Sequence, residues 1–393
     1  MTLTSAAPVR GLDPIEFDRL RAEVAEFVSG EGERWADRIE ATGEVPEQLW
    51  TELRDRGFLA LAAPVSHGGR GLSFPQWMDL MELFSRSHGS LRMIVHVVNG
   101  TWRAMDAFAT EEQRRRFVLP SIAGALKVAF TLTEPAAGSG ADIRSTVTRD
   151  GDHYLLTGTK HMITFGVRCD YWLVTARLAG SSGHEGTVAL MVPRDAEGVT
   201  VEDTSDTLGV TGTDHARLTF DRAPVPVANR LGEEGQGLAV ALGGFLTPSR
   251  ISVAMSCVGL AVRAQELALD YARGRTTFGK PLTSRQAIGF MLAENEAEIE
   301  AARQLVKHAA RQWEDGDPAA PKLSSMAKLI AVDMLGRVTD RALQVHGGSG
   351  YWKSSPIERV YRDARAQRFE EGTNEAQKSI VLRELLGRAE GVR

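Results

Sequence analysis

Cysteine is nearly absent from this chain. Two stand in 393 residues, Cys169 and Cys257, far apart and without metal-ligand partners at useful spacing. That argues against a disulfide framework and a structural zinc site, and it makes a reducing cytoplasm the expected home. A basic excess is absent too. Net charge is −5 with both signs interspersed and no basic stripe or tail, which disfavours a nucleic-acid-binding role. No run of about 18 apolar residues is apparent, so no transmembrane helix is expected. The first residues, Met1 to Pro8, carry no apolar targeting segment. Internal repeats and low-complexity segments are also lacking. What remains is ordinary globular material, 43% hydrophobic and 25% charged. It is long enough for two or three domains with cores that need no staples.

The texture changes twice along the chain. Up to residue 125 the pattern is helical, with helices expected over Phe17–Val28, Glu47–Arg56, Phe74–Arg86, Leu91–Phe108 and Glu111–Leu119. Pro46, Pro64, Gly68-Gly69, Gly89 and Pro120 act as breakers. From 126 to 233 short β-rich runs alternate with Gly, Asp and Ser turns: 153–158, 171–176, 188–192 and 216–220. That spacing predicts an antiparallel barrel or sandwich. From 234 to 393 long helices return. Val253, Cys257, Leu260, Ala264, Leu267 and Tyr271 recur at steps of three and four, and two further series run from Ile288 to Trp313 and from Leu323 to Val345. Such stripes are what antiparallel bundle helices bury. A β-domain set between two helical halves offers a cleft where three walls meet.

Several segments carry chemistry. In Phe369-Glu370-Glu371-Gly372-Thr373-Asn374-Glu375 a carboxylate is succeeded at once by Gly and Thr. This reads as a helix entrance, with Gly372 allowing a sharp turn and Thr373 capping the helix beyond it. A Glu on such a rim suits a general base if burial raises its pKa. Thr131-Leu132-Thr133-Glu134-Pro135-Ala136-Ala137-Gly138-Ser139 places hydroxyls beside small residues, an edge that can hold a flat polar heterocycle or a phosphate-bearing tail. Thr164, near the end of a strand-like run closed by Gly166, offers another hydroxyl. Arg273 to Leu282 breaks two long helices. An Arg there suits a pyrophosphate, and Phe278 suits an aromatic ring system.

Taken together, the Thr-Glu-Pro-Ala-Ala-Gly-Ser segment, the Arg-x-x-Phe-Gly-Lys-Pro-Leu turn, Gln344 to Tyr351 and the Glu-Gly-Thr segment resemble the acyl-CoA dehydrogenase family in order and spacing. The resemblance implies an α+β fold with an N-terminal helical domain (1–125), a middle antiparallel β-barrel domain (126–233) and a C-terminal four-helix bundle (234–393). It implies FAD bound at a subunit interface, usually of a homotetramer. Thr131, Thr133 and Thr164 would lie along the flavin ring. Ser139 would lie near flavin phosphate or the pantetheine arm of the substrate. Arg275, Phe278, Gln286, Gln344 and Gly348 would reach the FAD of the neighbouring subunit, and Thr373 and Glu375 that of their own site. Arg250 would face the thioester, with Gly372 beside it. Glu371 matches the catalytic base, which removes the α-proton while the β-hydride passes to flavin N5, giving a trans-2-enoyl thioester. Electrons would then pass to an electron-transfer flavoprotein.

Some positions depart from the family's pattern. Gly140 stands where many members have Asp, and Met162 where many have Trp. Glu370 stands where Tyr or an apolar residue is common, beside the base. Leu91-Arg92-Met93 is similar to a segment of glutaryl-CoA dehydrogenases in which the Arg holds a distal carboxylate. Arg92 and Glu370 therefore point to a short, branched or polar acyl group, with Arg92 paired either to a substrate carboxylate or to Glu370 itself. The thioester could be carried by CoA or by an acyl-carrier protein. Competing readings are a flavin monooxygenase or oxidase relative, which Glu371 argues against, and a non-enzymatic helical scaffold.

Overall fold

The computed structural model describes residues 11–136 and 142–387. The N-terminal region holds α1 (Pro14–Ser29), α2 (Glu31–Thr42), α3 (Glu47–Asp55), α4 (Phe74–Phe84) and α5 (Gly89–Asp106). It closes with α6 (Glu111–Gln113), a π-turn over Arg114–Val118 and α7 (Leu119–Ile122). Local chemistry sets the starts. Asp13 accepts from the backbone N–H groups of Ile15 and Glu16, and Ser73 and Gln76 form a reciprocal capping box on α4. Helix α2 was not expected from the sequence. Gly30 and Gly32 flank its first residue and mask the Trp35/Ile39 spacing, and Gly43 ends it in a left-handed turn. Helix α5 begins two residues earlier than expected, with Gly89 as its first residue. The side chain of His88 caps it by accepting from Ser90 N–H. Gly89 is needed for contact, because a Cβ there would stand 2.9 Å from an Asp363 carboxylate oxygen.

The middle region is a single eight-stranded sheet: β1 (Val128–Thr131), β2 (Thr146–Asp150), β3 (His153–Thr164), β4 (Tyr171–Leu178), β5 (Thr187–Pro193), β6 (Val199–Asp203), β7 (His215–Pro226) and β8 (Arg230–Leu231). The path is β6-β7-β3-β2-β4-β5-β8, with β1 added beside β4. The sheet expected to be antiparallel is so in most of its pairings but also holds two parallel ones, since both β1 and β2 run parallel to β4. The β2–β3 hairpin is antiparallel, so the chain must travel from the end of β3 to the far side of β2 before β4 begins. The run expected over 153–158 and the strand-like run closed by Gly166 join in one strand, β3, which ends at Thr164. It passes through Gly158 at φ +147°, where a Cβ would meet the Ser145 side chain at 2.4 Å. Trp172, Tyr154 and Phe220 fill the sheet's inner face.

The C-terminal region starts with α8 (Gly237–Ala239) and a π-helical stretch, Val240–Leu246, that runs into α9 (Thr247–Gly274). A two-stranded turn, β9 (Thr276–Thr277) with β10 (Lys280–Pro281), leads to α10 (Gln286–Glu314). Then come α11 (Ala320–His346), α12 (Pro356–Ala366) and α13 (Asn374–Leu385). The apolar stripes read from the sequence are the buried faces of α9, α10 and α11. Residues 237–274 form one helical run long and apolar enough, by length and composition, to cross a membrane. Such a run was not expected from the sequence. Its most apolar stretch is 94% buried within the protein, as a central core helix must be. The side chains of α1–α5 and of α9–α12 share one continuous core, which presses α5 against α9 and brings 370–371 to both.

Candidate active site

Glu371 lies between α12 and α13, at the point where the chain reverses. Its φ is +54°, and that of Gly372 is +95°. A left-handed Glu is uncommon and costs free energy, so the surroundings must hold it. Gln377, fully buried on α13, donates its side-chain N–H to the carbonyls of Glu371 (3.0 Å) and Gly372 (3.1 Å). The Lys328 ammonium on α11, also fully buried, donates to Gly372 O at 2.7 Å. Arg250 Nε on α9 donates to Glu371 O at 3.3 Å. Thr373 caps α13 by accepting from Ala376 N–H.

The Glu371 carboxylate is set by polar neighbours. Ser249 Oγ donates to its Oε1 at 2.8 Å, and His96 Nε2 sits 2.8 Å from the same Oγ. Burial pushes the Glu371 carboxyl up to about 7. The Ser249 hydrogen bond and the Arg250 and Lys328 cations pull it down, and Glu370 adds to the rise. Burial likewise pushes His96 down to about 4, with Arg92 adding to it. The imidazole is therefore neutral near pH 7.

Arg92 and Glu370 form a bidentate pair, Nη1–Oε2 and Nη2–Oε1 both at 2.8 Å. Only 2% of Arg92 is exposed. Burial would raise the Glu370 carboxyl, but Arg92 outweighs it and holds it below the usual range. Of the two partners expected for Arg92, the protein itself supplies one.

The remaining residues read from the sequence fall into two further groups. At the ends of β1 and β3, Thr133 and Thr164 keep part of their surface open. Thr131 is fully buried and donates its hydroxyl to Ala129 O. Met162 projects with 59% exposure at φ +55°. Ser139 lies outside the described residues. The second group stands on one end of the bundle, where Tyr271 stacks on His346 at 4.5 Å and donates to Ser349. Arg275, Gln286, Gln344 and Gly348 are exposed there, and Phe278 is 97% exposed. No contact within the subunit joins this end to Glu371 among the described residues. Glu375 is exposed at the start of α13, beside the base. Sequence reasoning missed His96, Ser249, Lys328 and Gln377. For His96 a signal existed: it lies four residues after Arg92, one helical turn along the same face.

These residues fit a flavin. Thr133 and Thr164 are only half-buried, just past the end of β1 and at the end of β3, and no Cβ would crowd Gly347 or Gly348. Arg275 makes no ion pair among the described residues. A desolvated carboxylate poised near neutrality suits proton abstraction, and the family matches place the chain in a class, the flavoprotein oxidoreductases that act on adjacent CH–CH carbons. Three family models match in register: acyl-CoA dehydrogenase N-terminal domain over 15–125, middle domain over 129–223 and C-terminal domain over 235–386. The chain is 36% identical to an acyl-CoA dehydrogenase of Bacillus subtilis over 94% of its own length and 97% of the relative's. It is also 36% identical to the caffeyl-CoA reductase–Etf complex subunit CarC of Acetobacterium woodii, over 89% and 92%. The crystal structure of an acyl-CoA dehydrogenase from Geobacillus kaustophilus superposes with a TM-score of 0.90 at 32% identity, covering 96% and 99%. The chain belongs to the acyl-CoA dehydrogenase family.

Proposed function

We propose that the protein oxidises the Cα–Cβ bond of a short or polar acyl thioester, with Glu371 as the base and FAD as the electron acceptor. The observation that carries this reading is the Glu371 carboxyl, desolvated by its surroundings, held on a strained backbone and poised at about 7. A base so poised is substantially ionised at neutral pH yet still basic enough to take a weakly acidic proton. The α C–H bond breaks, its proton goes to Glu371, and its electron pair builds the new double bond as the β-carbon releases hydride. A bound flavin supplies the two-electron acceptor for that hydride. Arg250 and the backbone at Gly372 border the base and orient the thioester. Thr133, Thr164, Arg275, Phe278, Gln286, Gln344 and Gly348 would hold the cofactor, the last five across a subunit interface. The kinship with an Etf-complex subunit supports an electron-transfer flavoprotein as the partner.

The Arg92–Glu370 pair refines the substrate. Arg92 is already neutralised, so an acyl group ending in a second carboxylate gains no free cation there and meets Glu370 instead. A panel of CoA and carrier-protein thioesters, scored by anaerobic bleaching of the flavin, tests this. Short neutral acyl groups should bleach it fastest and dicarboxylyl groups poorly. Efficient bleaching by palmitoyl-CoA would overturn the acyl assignment, and no bleaching by any thioester would overturn the reaction.

A further inference from the structure

Two buried groups beside Glu371 have no part in the proposed bond-breaking steps. His96, on α5, and Ser249, on α9, come from opposite sides of the domain boundary, 153 residues apart in sequence. They meet at 2.8 Å, and Ser249 meets Glu371 Oε1 at 2.8 Å. We propose that His96 and Ser249 are positioning residues for the base, a one-way chain in which His96 Nε2–H donates to Ser249 Oγ and the Ser249 hydroxyl donates to Glu371. The inference rests on Glu371 as the base.

Hydrogen counting fixes the direction. An ionised carboxylate only accepts, so the single Ser249 hydrogen points to Glu371. Oγ is then left with lone pairs toward His96, so Nε2 must carry the imidazole proton. Nδ1 is consequently bare. It is buried without a hydrogen-bond partner, which a bare lone pair tolerates better than an N–H or an imidazolium would. Arg92, one turn earlier on α5, further opposes a second proton on the ring.

The chain does two things. It engages Oε1, so the incoming proton is received on the other carboxylate oxygen. It also favours the charged form, because a hydroxyl donates more strongly to a carboxylate than to a carboxylic acid. The other charged groups around the site act independently. Arg250 and Lys328 pull the carboxyl down, and burial and Glu370 push it up. Glu370 is itself held by Arg92, with Cys257 behind the pair as a neutral thiol that burial pushes up to about 12.

The test is a pH titration of the Glu371 carboxyl in the ligand-free holoenzyme. Difference infrared spectroscopy reads the protonated C=O band, assigned by its loss in Glu371→Gln. Ser249→Ala should move the titration about one pH unit higher. Ser249→Gly provides a second, smaller variant should alanine disturb packing. His96→Leu should move it in the same direction by less, since Ser249 keeps its hydrogen but not its fixed direction. His96→Gln, whose amide can donate in the same place, should restore the wild-type value. The kcat/KM profile should shift with it, with Ser249→Ala about tenfold slower well below the wild-type midpoint and close to wild type at high pH. An unmoved carboxyl titration in both Ser249 variants would overturn the chain, and so would an equal loss of kcat/KM at every pH. A wild-type titration in His96→Leu would remove His96 from it. The infrared readout needs no substrate, so failure of the thioester panel and failure of this chain are separable.

Discussion

Glu371 is expensive to keep where it is. Its carboxyl sits near 7 in the fold against an ordinary value near 4.5. Between those two values the unfolded chain gives up its proton first, so the group's contribution to stability falls as pH rises from about 4.5 to 7. Activity runs the other way, because the base works ionised. The acid limb of kcat/KM should therefore have its midpoint near 7. Glu371→Gln should lower turnover by at least the roughly 10²–10⁴-fold of a general base. At pH 8 its Tm should equal or exceed that of the wild type, and a clear fall in Tm would show that the carboxylate is structural. Arg92 poses the opposite case. Arg92→Met strands the Glu370 carboxylate and should cost about 3–5 kcal/mol in denaturant unfolding. Replacing both partners, Arg92→Met with Glu370→Leu, should recover most of that loss. A single variant as stable as the wild type would refute the pairing.

The turn into α13 shows how short elements carry this site. Thr373→Ala removes the cap and should cost about 1 kcal/mol, read as a shift of the urea midpoint. Gln377→Ala should cost activity as well, because the two carbonyls it braces belong to the left-handed Glu371 and Gly372. Loss of stability without loss of kcat would deny that bracing a catalytic role. This element was legible in the sequence because its parts are adjacent: Gly372 for the turn, Thr373 for the cap. The long bundle helices were legible because their apolar spacing is repeated over many turns. Helix α2 was not, since two glycines bracket its first residue. The β1–β4 and β2–β4 parallel pairings were not, since a strand's sequence carries its face but not its neighbour's direction. Ser249 escaped because it is one ordinary polar residue that only the α5–α9 contact pairs with His96; His96 lay one turn beyond Arg92 and went unread, because that spacing marks a shared face but not a partner. The Arg92–Glu370 link was foreseen as one of two options because one residue lies beside the base and the other in a segment with a known relative.

At the scale of the whole molecule, one end of the bundle is left apolar and cationic. Phe278, Tyr351 and Trp352 are exposed there, beside Arg275. This end is expected to be covered by a second copy and its cofactor. Sedimentation should show a dimer or tetramer, and Arg275→Ala should lose flavin on gel filtration faster than the wild type. A monomer that retains flavin would contradict both expectations.

The bidentate pair also imposes an order of events on synthesis. Arg92 and Glu370 are 278 residues apart in the chain. At roughly 5–20 residues per second, translation separates them by about 14–56 s. For that interval the guanidinium of Arg92 lacks the carboxylate that neutralises it in the finished fold. Helix α5 is therefore expected to keep its guanidinium hydrated until the segment carrying Glu370 has been made.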